Sequence, residues 1–273
     1  PRPSASRARS ELPSASGECA FWGDPHVKTF DGARPSFYGE GDFWVVKSDE
    51  IWIQGRFQGT AFTKGLAATH RLVVGGPFLR GHTVSVGCLE AGDVLVDGRP
   101  VLRGFPSSYE LEDLATMSYD SFGKLVDAAT GRFERHIVHL SLPLGVHLEV
   151  LRWDNYVDFR IAMPRQFGQD GACGNFNGLL EDDTTEAILS RIGAPIRDDS
   201  RLFHSEAPIR TGSTEEELLQ MCPPEVFARA QAECAEELRR VVPSRAESRA
   251  CELNICYGAN EHLLRMSKRL GLS

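Results

Sequence analysis

Cys19-Ala20-Phe21-Trp22-Gly23-Asp24-Pro25-His26-Val27-Lys28-Thr29-Phe30-Asp31-Gly32 and, about 150 residues on, Cys173-Gly174-Asn175-Phe176-Asn177-Gly178-Leu179-Leu180-Glu181-Asp182-Asp183 decide how this chain is read. The second stretch places oxygen-bearing side chains at 175, 177, 182 and 183, with a glycine between them that lets the backbone fold back. Calcium takes six to eight oxygens at about 2.3–2.6 Å, and a loop can bring carboxylates and carbonyls together from successive residues. Magnesium needs a tighter octahedron and fits such a loop less well. Taken alone, the same pattern also describes a polar Asn-Gly turn followed by a solvated acidic patch.

Between the two stretches the chain reads as short strands. Phe43 to Lys47 and Ile51 to Phe57 are rich in β-branched and aromatic residues, and His82 to Val86 alternates strictly. Val94 to Val101 contains Asp97-Gly98, the pair that a type I′ hairpin demands. A second hairpin is expected where Val146–Trp153 meets Tyr156–Ala162 across Asp154-Asn155. Many short strands separated by turns point to an antiparallel β-sandwich.

The period changes beyond residue 213. Phe227, Ala230, Cys234, Leu238 and Val241 recur at steps of three and four, making one apolar helix face. Pro224 suits a first helical turn, Ser244 and Glu247 have capping-box spacing, and Gly258 suits a helix stop. A last helix is expected over residues 261–270. Residues 1–18, with five Ser, three Arg and three Pro, read as a flexible leader. Residues 186–212, rich in Pro, Asp and Arg, read as connecting chain. The expected organisation is a leader over 1–18, a sandwich over 19–200, a connector over 201–213 and a disulfide-linked helical subdomain over 214–273. The fold class is mainly β.

A net charge of −8 with no long basic run argues against nucleic acid as a partner. No stretch reaches the roughly 18 apolar residues that a membrane span needs. A chain opening on Pro1 is expected to be a fragment or processed product. None of the seven cysteines forms a C-x-x-C pair, which disfavours a zinc ribbon or a thioredoxin-like motif and favours structural disulfides in an oxidising compartment.

Taken together, the W-G-D-P-H-x-x-T-F-D-G string over residues 22–32 and the C-G-N-F-N-G string over 173–178 resemble the start and end of a von Willebrand factor type D (VWD) domain. The resemblance implies a β-sandwich with a calcium ion near the second string. By position its ligands would be Asp31, Asn175, Asn177, the backbone carbonyl of Leu179, Asp182 and Asp183. Three carboxylates against Ca²⁺ leave such a site at about −1. The resemblance also implies a Cys19–Cys173 disulfide, which would remove on the order of 4–5 kcal/mol of unfolded-state entropy in the simple chain picture. The multimerising members carry C-G-x-C-G-N, whereas this chain has Asp170-Gly171-Ala172-Cys173, and Gly41 follows Glu40 where the family has a further Cys. Their role in disulfide exchange is therefore not carried over.

The tail resembles, more weakly, a reduced C8 cysteine-rich module through Cys222, Cys234, Cys251 and Cys256. That likeness pairs Cys222 with Cys251, a helical hairpin would pair Cys234 with Cys251, and the sequence does not choose. Cys88 shares one strand face with Val84 and Val86, which suits a buried free thiol, with an interchain bridge as the alternative. His136 and His139 stand three apart on a strand, face opposite sides, and make poor joint metal ligands with His147.

No phosphate loop or nucleophile elbow marks an enzyme. The expectation is a secreted calcium-binding module of matrix assembly or adhesion, with other extracellular proteins or copies of itself as partners. One alternative is the terminal module of a large lipid-transport protein. Another is self-cleavage of the Asp24–Pro25 bond, with His26 supplying a proton.

Overall fold

The computed structural model describes residues 16–23, 26–60, 63–125, 133–204, 215–240 and 244–257. Most of the expected leader, the Asp24–Pro25 bond, Val241, the Gly258 stop and the helix over 261–270 lie outside the described residues.

Strands β1 (Ser16–Trp22) and β2 (His26–Lys28) open the chain. Next come β3 (Gly41–Lys47), β4 (Trp52–Gly59), β5 (Ala67–Gly75), β6 (Val84–Gly87), β7 (Val94–Val96) and β8 (Arg99–Val101). These six pair in chain order as one antiparallel sheet. The chain returns through β9 (Ser107–Leu111), β10 (Ala115–Leu125), β11 (Phe133–Leu142), β12 (Val146–Arg152) and β13 (Val157–Pro164). The last five join β1 and β2 in a second sheet, ordered β2-β1-β13-β12-β11-β10-β9. The first strand thus lies beside the last, with Cys19 opposite Ile161 and Phe21 opposite Phe159. That pairing brings the two ends of the sandwich, and the two sequence strings, together.

Turn chemistry sets the hairpins. Asp97 and Gly98 both adopt positive φ, 50° and 74°, as the type I′ turn between β7 and β8 requires. The β12–β13 loop closes with Trp153 N–H donating to the Tyr156 carbonyl at 3.0 Å. One apolar core lies between the sheets. Phe21 stacks on Phe159 at 4.8 Å and reaches Phe57 on the opposite sheet at 5.9 Å, and Phe57 meets Phe37 edge-on at 4.9 Å. Each such ring, fully buried, contributes about 1.5–3 kcal/mol.

Two expected boundaries shift. β1 begins at Ser16, three residues inside the expected leader, because Ser16 to Glu18 pair with Pro164 to Ala162. The stretch read as connecting chain contains helix α1 (Thr185–Ile192), started by Thr184, whose side chain accepts from Ala187 N–H. The chain after it is pinned to the six-stranded sheet. Ile196 N–H donates to the Asp42 carbonyl, and Gln54 holds both the Ser200 carbonyl and the Leu202 N–H. The Arg201 guanidinium donates to Asp42, which also binds Arg56, and Phe203 lies 4.7 Å under Arg56. Arg201 and Phe203, inside the expected 201–213 connector, are therefore buried parts of the sandwich.

Helices α2 (Glu215–Met221), α3 (Pro224–Glu237) and α4 (Arg245–Tyr257) follow. Both halves of the Ser244/Glu247 capping box are made, at 2.8 and 3.2 Å. Disulfides join Cys222 to Cys256 and Cys234 to Cys251. The C8-like pairing of Cys222 with Cys251 is not formed, since the antiparallel packing of α3 on α4 puts Cys234 opposite Cys251. Leu218, Ala250 and Leu253 pack on Tyr38 and Leu66 of the sandwich, and the Tyr38 hydroxyl hydrogen-bonds Asn254 Oδ1 at 2.6 Å.

Candidate metal centre

Asp31 sits on a tight turn after β2. Thr29, fully buried, fixes that turn: its N–H donates to the Ala33 carbonyl, its carbonyl accepts Gly32 N–H, and its hydroxyl accepts Ala33 N–H. Phe30 ties the turn to the second string, donating its N–H to the Cys173 carbonyl at 3.0 Å and stacking on Phe176 at 5.1 Å. Beside these contacts the Cys19–Cys173 disulfide joins the two strings covalently, with a Cα–Cα distance of 5.7 Å.

The loop beyond Cys173 wraps around the Asp31 carboxylate, which accepts N–H groups from Asn177 at 3.0 Å and Gly178 at 2.8 Å. The Asn175 side-chain oxygen accepts Asn177 N–H at 3.1 Å, and that of Asn177 accepts Leu179 N–H at 2.7 Å, two consecutive Asx turns. Both asparagines point their amide N–H groups at one oxygen of Asp182, at 3.0 and 2.6 Å. These bonds, Asn175's first, hold the Asp182 carboxyl below its ordinary pKa. Leu179 supplies backbone to the loop, while its side chain is exposed.

Asp183 stands beside this network and is fully buried. Gly174, at φ 83°, lies so close that a Cβ there would be 2.3 Å from Asp183 Oδ2, so only glycine fits. Arg191 of α1 approaches from the other side. Its guanidinium donates to Asp183 Oδ1 at 2.9 Å and to the Asp182 carbonyl at 3.0 Å, and pairs with Asp170 at 3.1 Å. Burial pushes the Asp170 carboxyl upward, although Gly171 N–H and Arg191 pull the other way.

Asp31, Asn175, Asn177 and Asp182 thus share one hydrogen-bonded network, with Asp183 adjoining it across Gly174. Among the described residues no three His, Cys, Asp or Glu side chains form a metal-holding group. The three carboxylates here are linked through amides and backbone instead. Two buried oxygens, Asp182 Oδ1 and Asp183 Oδ2, have no hydrogen-bond partner among the described residues. A buried carboxylate oxygen without a partner is costly. These carboxylates, together with the asparagine amide oxygens once the amides turn, are the hard donors that calcium takes, so the residues present fit a calcium ion. Arg191 was not singled out in the sequence. Its signal is slight, a cation two helical turns beyond Asp183.

The departures from the multimerising pattern have structural reasons. Gly41 has φ 131°, and a Cβ there would lie 2.8 Å from Pro195, leaving no room for a cysteine side chain. Asp170 pairs its backbone with Lys47 and its carboxylate with Arg191. Cys88 is a fully buried free thiol 3.4 Å from the His70 ring. His136 meets the Tyr119 hydroxyl, His139 approaches Glu149 and His147 approaches Ser141, so the three histidines have separate partners.

His26, the proposed proton donor for Asp24–Pro25 cleavage, packs 5.8 Å from the Trp22 ring, and burial lowers its pKa. Preceding it, Gly23 N–H and the Trp153 indole both donate to Asp158 at 2.8 Å.

Compared with known families, residues 19–187 match the von Willebrand factor type D domain, from the first string through the acidic loop into α1. That match spans more than half of the chain, and the chain belongs to the von Willebrand factor type D domain family.

Proposed function

We propose that this chain is a calcium-binding, non-enzymatic module of extracellular assembly or adhesion. The observation that carries the calcium reading is the pair of buried oxygens on Asp182 and Asp183 that have no hydrogen-bond partner among the described residues, set in a loop wrapped around Asp31. Asp31, Asn175, Asn177, the Leu179 carbonyl, Asp182 and Asp183 would hold the ion, the asparagines turning their amide oxygens toward it. Calcium, when bound, supplies two positive charges that satisfy those carboxylates and fasten the Asp31 turn to the acidic loop. The chain's own part is to hold the ligands in place. The Cys19–Cys173 bridge and the Phe30–Phe176 stack do this from below, and Gly174 lets Asp183 approach.

The assembly role rests on the family, whose domains are in general extracellular modules that mediate protein interactions and oligomerisation. Three disulfides suit an oxidising, secreted setting, and no helix among the described residues is long and apolar enough to cross a membrane. With Asp170 in place of a thiol and Cys88 buried, partners, whether other extracellular proteins or copies of this chain, would be held without interchain disulfides from these positions.

Melting in chelator and in excess calcium tests the site. A ligand bound only by the folded chain at about a hundredfold over its Kd stabilises by about 2.7 kcal/mol, a rise of roughly 5–10 °C for a domain of this size. Asp31→Ala should abolish the rise. Equal melting temperatures for the unaltered chain in both buffers would sink the reading.

A further inference from the structure

Arg191 does something that the ligand set alone does not require. Its side chain is 15% exposed and its partner Asp183 is 0% exposed, so this is a buried ion pair at the edge of the site. The guanidinium divides the Asp183 carboxylate, taking Oδ1 and leaving Oδ2 against Gly174 without a hydrogen-bond partner among the described residues. Through its second nitrogen it also fixes the Asp182 backbone, and Asp170, 46% exposed on the solvent side, orients it.

We propose that Arg191 is a resident counter-cation of the calcium site, one that keeps the fold standing without calcium and sets calcium affinity below what three carboxylates alone would give. This rests on the calcium reading above. Asp31, Asp182 and Asp183 carry three negative charges and Arg191 returns one, leaving two for a divalent ion to neutralise. Asp170 lies outside the ligand set and pairs with Arg191 from its half-exposed side, where solvent screens part of its charge. Without Arg191 the buried Asp183 would have no cationic partner among the described residues in the calcium-free chain, an uncompensated charge of the most destabilising kind. Binding calcium would then relieve more unfavourable charge than it does now. Ligand charge is a main determinant of affinity in oxygen cages, so removing the competing cation tightens binding.

The experiment is calorimetric calcium titration and thermal melting, in chelator and in calcium, of the whole chain with Arg191→Gln and with Arg191→Lys. Arg191→Gln should lose on the order of 10 °C in chelator, recover much of it in calcium, and bind calcium on the order of tenfold more tightly. Arg191→Lys, which keeps the charge and loses the planar fork, should melt in chelator between the other two and bind calcium close to the unaltered chain. A merely structural Arg191 would lower melting equally in both buffers and leave the Kd alone. That result, or weaker calcium binding by Arg191→Gln, overturns the proposal while leaving the calcium site intact. If Arg191→Gln folds only with calcium while Arg191→Lys folds in chelator, the proposal holds; unfolding in both buffers contradicts it. An unaltered chain that shows no calcium response overturns the site and this inference together.

Discussion

Gly174 illustrates how closely the site is drawn together. At φ 83° and with Asp183 Oδ2 within 2.3 Å of its missing Cβ, it has no substitute. Gly174→Ala should cost at least about 2 kcal/mol through backbone strain and the displaced carboxylate, and should remove the calcium-dependent rise in melting temperature. Loss of stability with a full calcium response would separate the two effects and count against the shared role. Elsewhere, His82 and Asp97 form a pair at 2.7 Å beside the β7–β8 turn. The hydrogen bond to Asp97 raises the His82 pKa, so its contribution is present below about pH 6.5 and is lost as pH rises through the higher folded value. Asp97 moves the opposite way: burial works upward, but bonds from His82 and Thr83 leave it lowered, so its share is lost as pH falls through that lowered value. His82→Gln should therefore cost a few tenths of a kcal/mol near pH 5.5, as solvent-screened pairs do, and nothing measurable at pH 8.5. Denaturant titrations at the two pH values check the difference.

The strings around Asp31 and Asn175 were legible because together they resemble the two ends of a von Willebrand factor type D domain; the spacing of oxygen-bearing residues alone also describes a polar Asn-Gly turn. Arg191 was not, because one arginine among many has no local signature and its meaning comes only from α1 folding back onto Asp183. The same contrast holds for whole elements. The β7–β8 and β12–β13 hairpins could be read from Asp97-Gly98 and Asp154-Asn155, since turn chemistry is local. Residues 186–204 were misread as connecting chain because their Asp, Arg and Pro content looks solvated. Asp42 pairs with both Arg56 and Arg201, whose guanidinium groups stack on Phe203, and that pairing spans more than 150 residues. Asp42→Ala would leave two arginines buried without their shared carboxylate and should cost about 3–5 kcal/mol. It should also free the 196–204 segment for protease cleavage. Equilibrium denaturation and limited proteolysis give the readouts, and an unchanged denaturation midpoint would show that the triad contributes nothing.

Across the molecule, the path of the chain explains why the two strings must meet: β1 is laid beside β13, and the 154-residue separation between Cys19 and Cys173 is closed by one disulfide. Replacing both cysteines with alanine should cost about 2–5 kcal/mol and weaken the calcium response, since the bridge holds the Asp31 turn to the loop. The helical subdomain was legible in its period and its capping box, whereas its disulfide pairing depends on how α3 and α4 pack. Calcium itself remains the point on which the account stands. The most direct measurement is metal content and calorimetric titration of the chain after exhaustive chelation and dialysis. One calcium per chain, lost in Asp31→Ala and Asp182→Ala and not replaced by magnesium at equal concentration, is the result expected here. No heat of binding and no retained calcium in the unaltered, folded chain would contradict it.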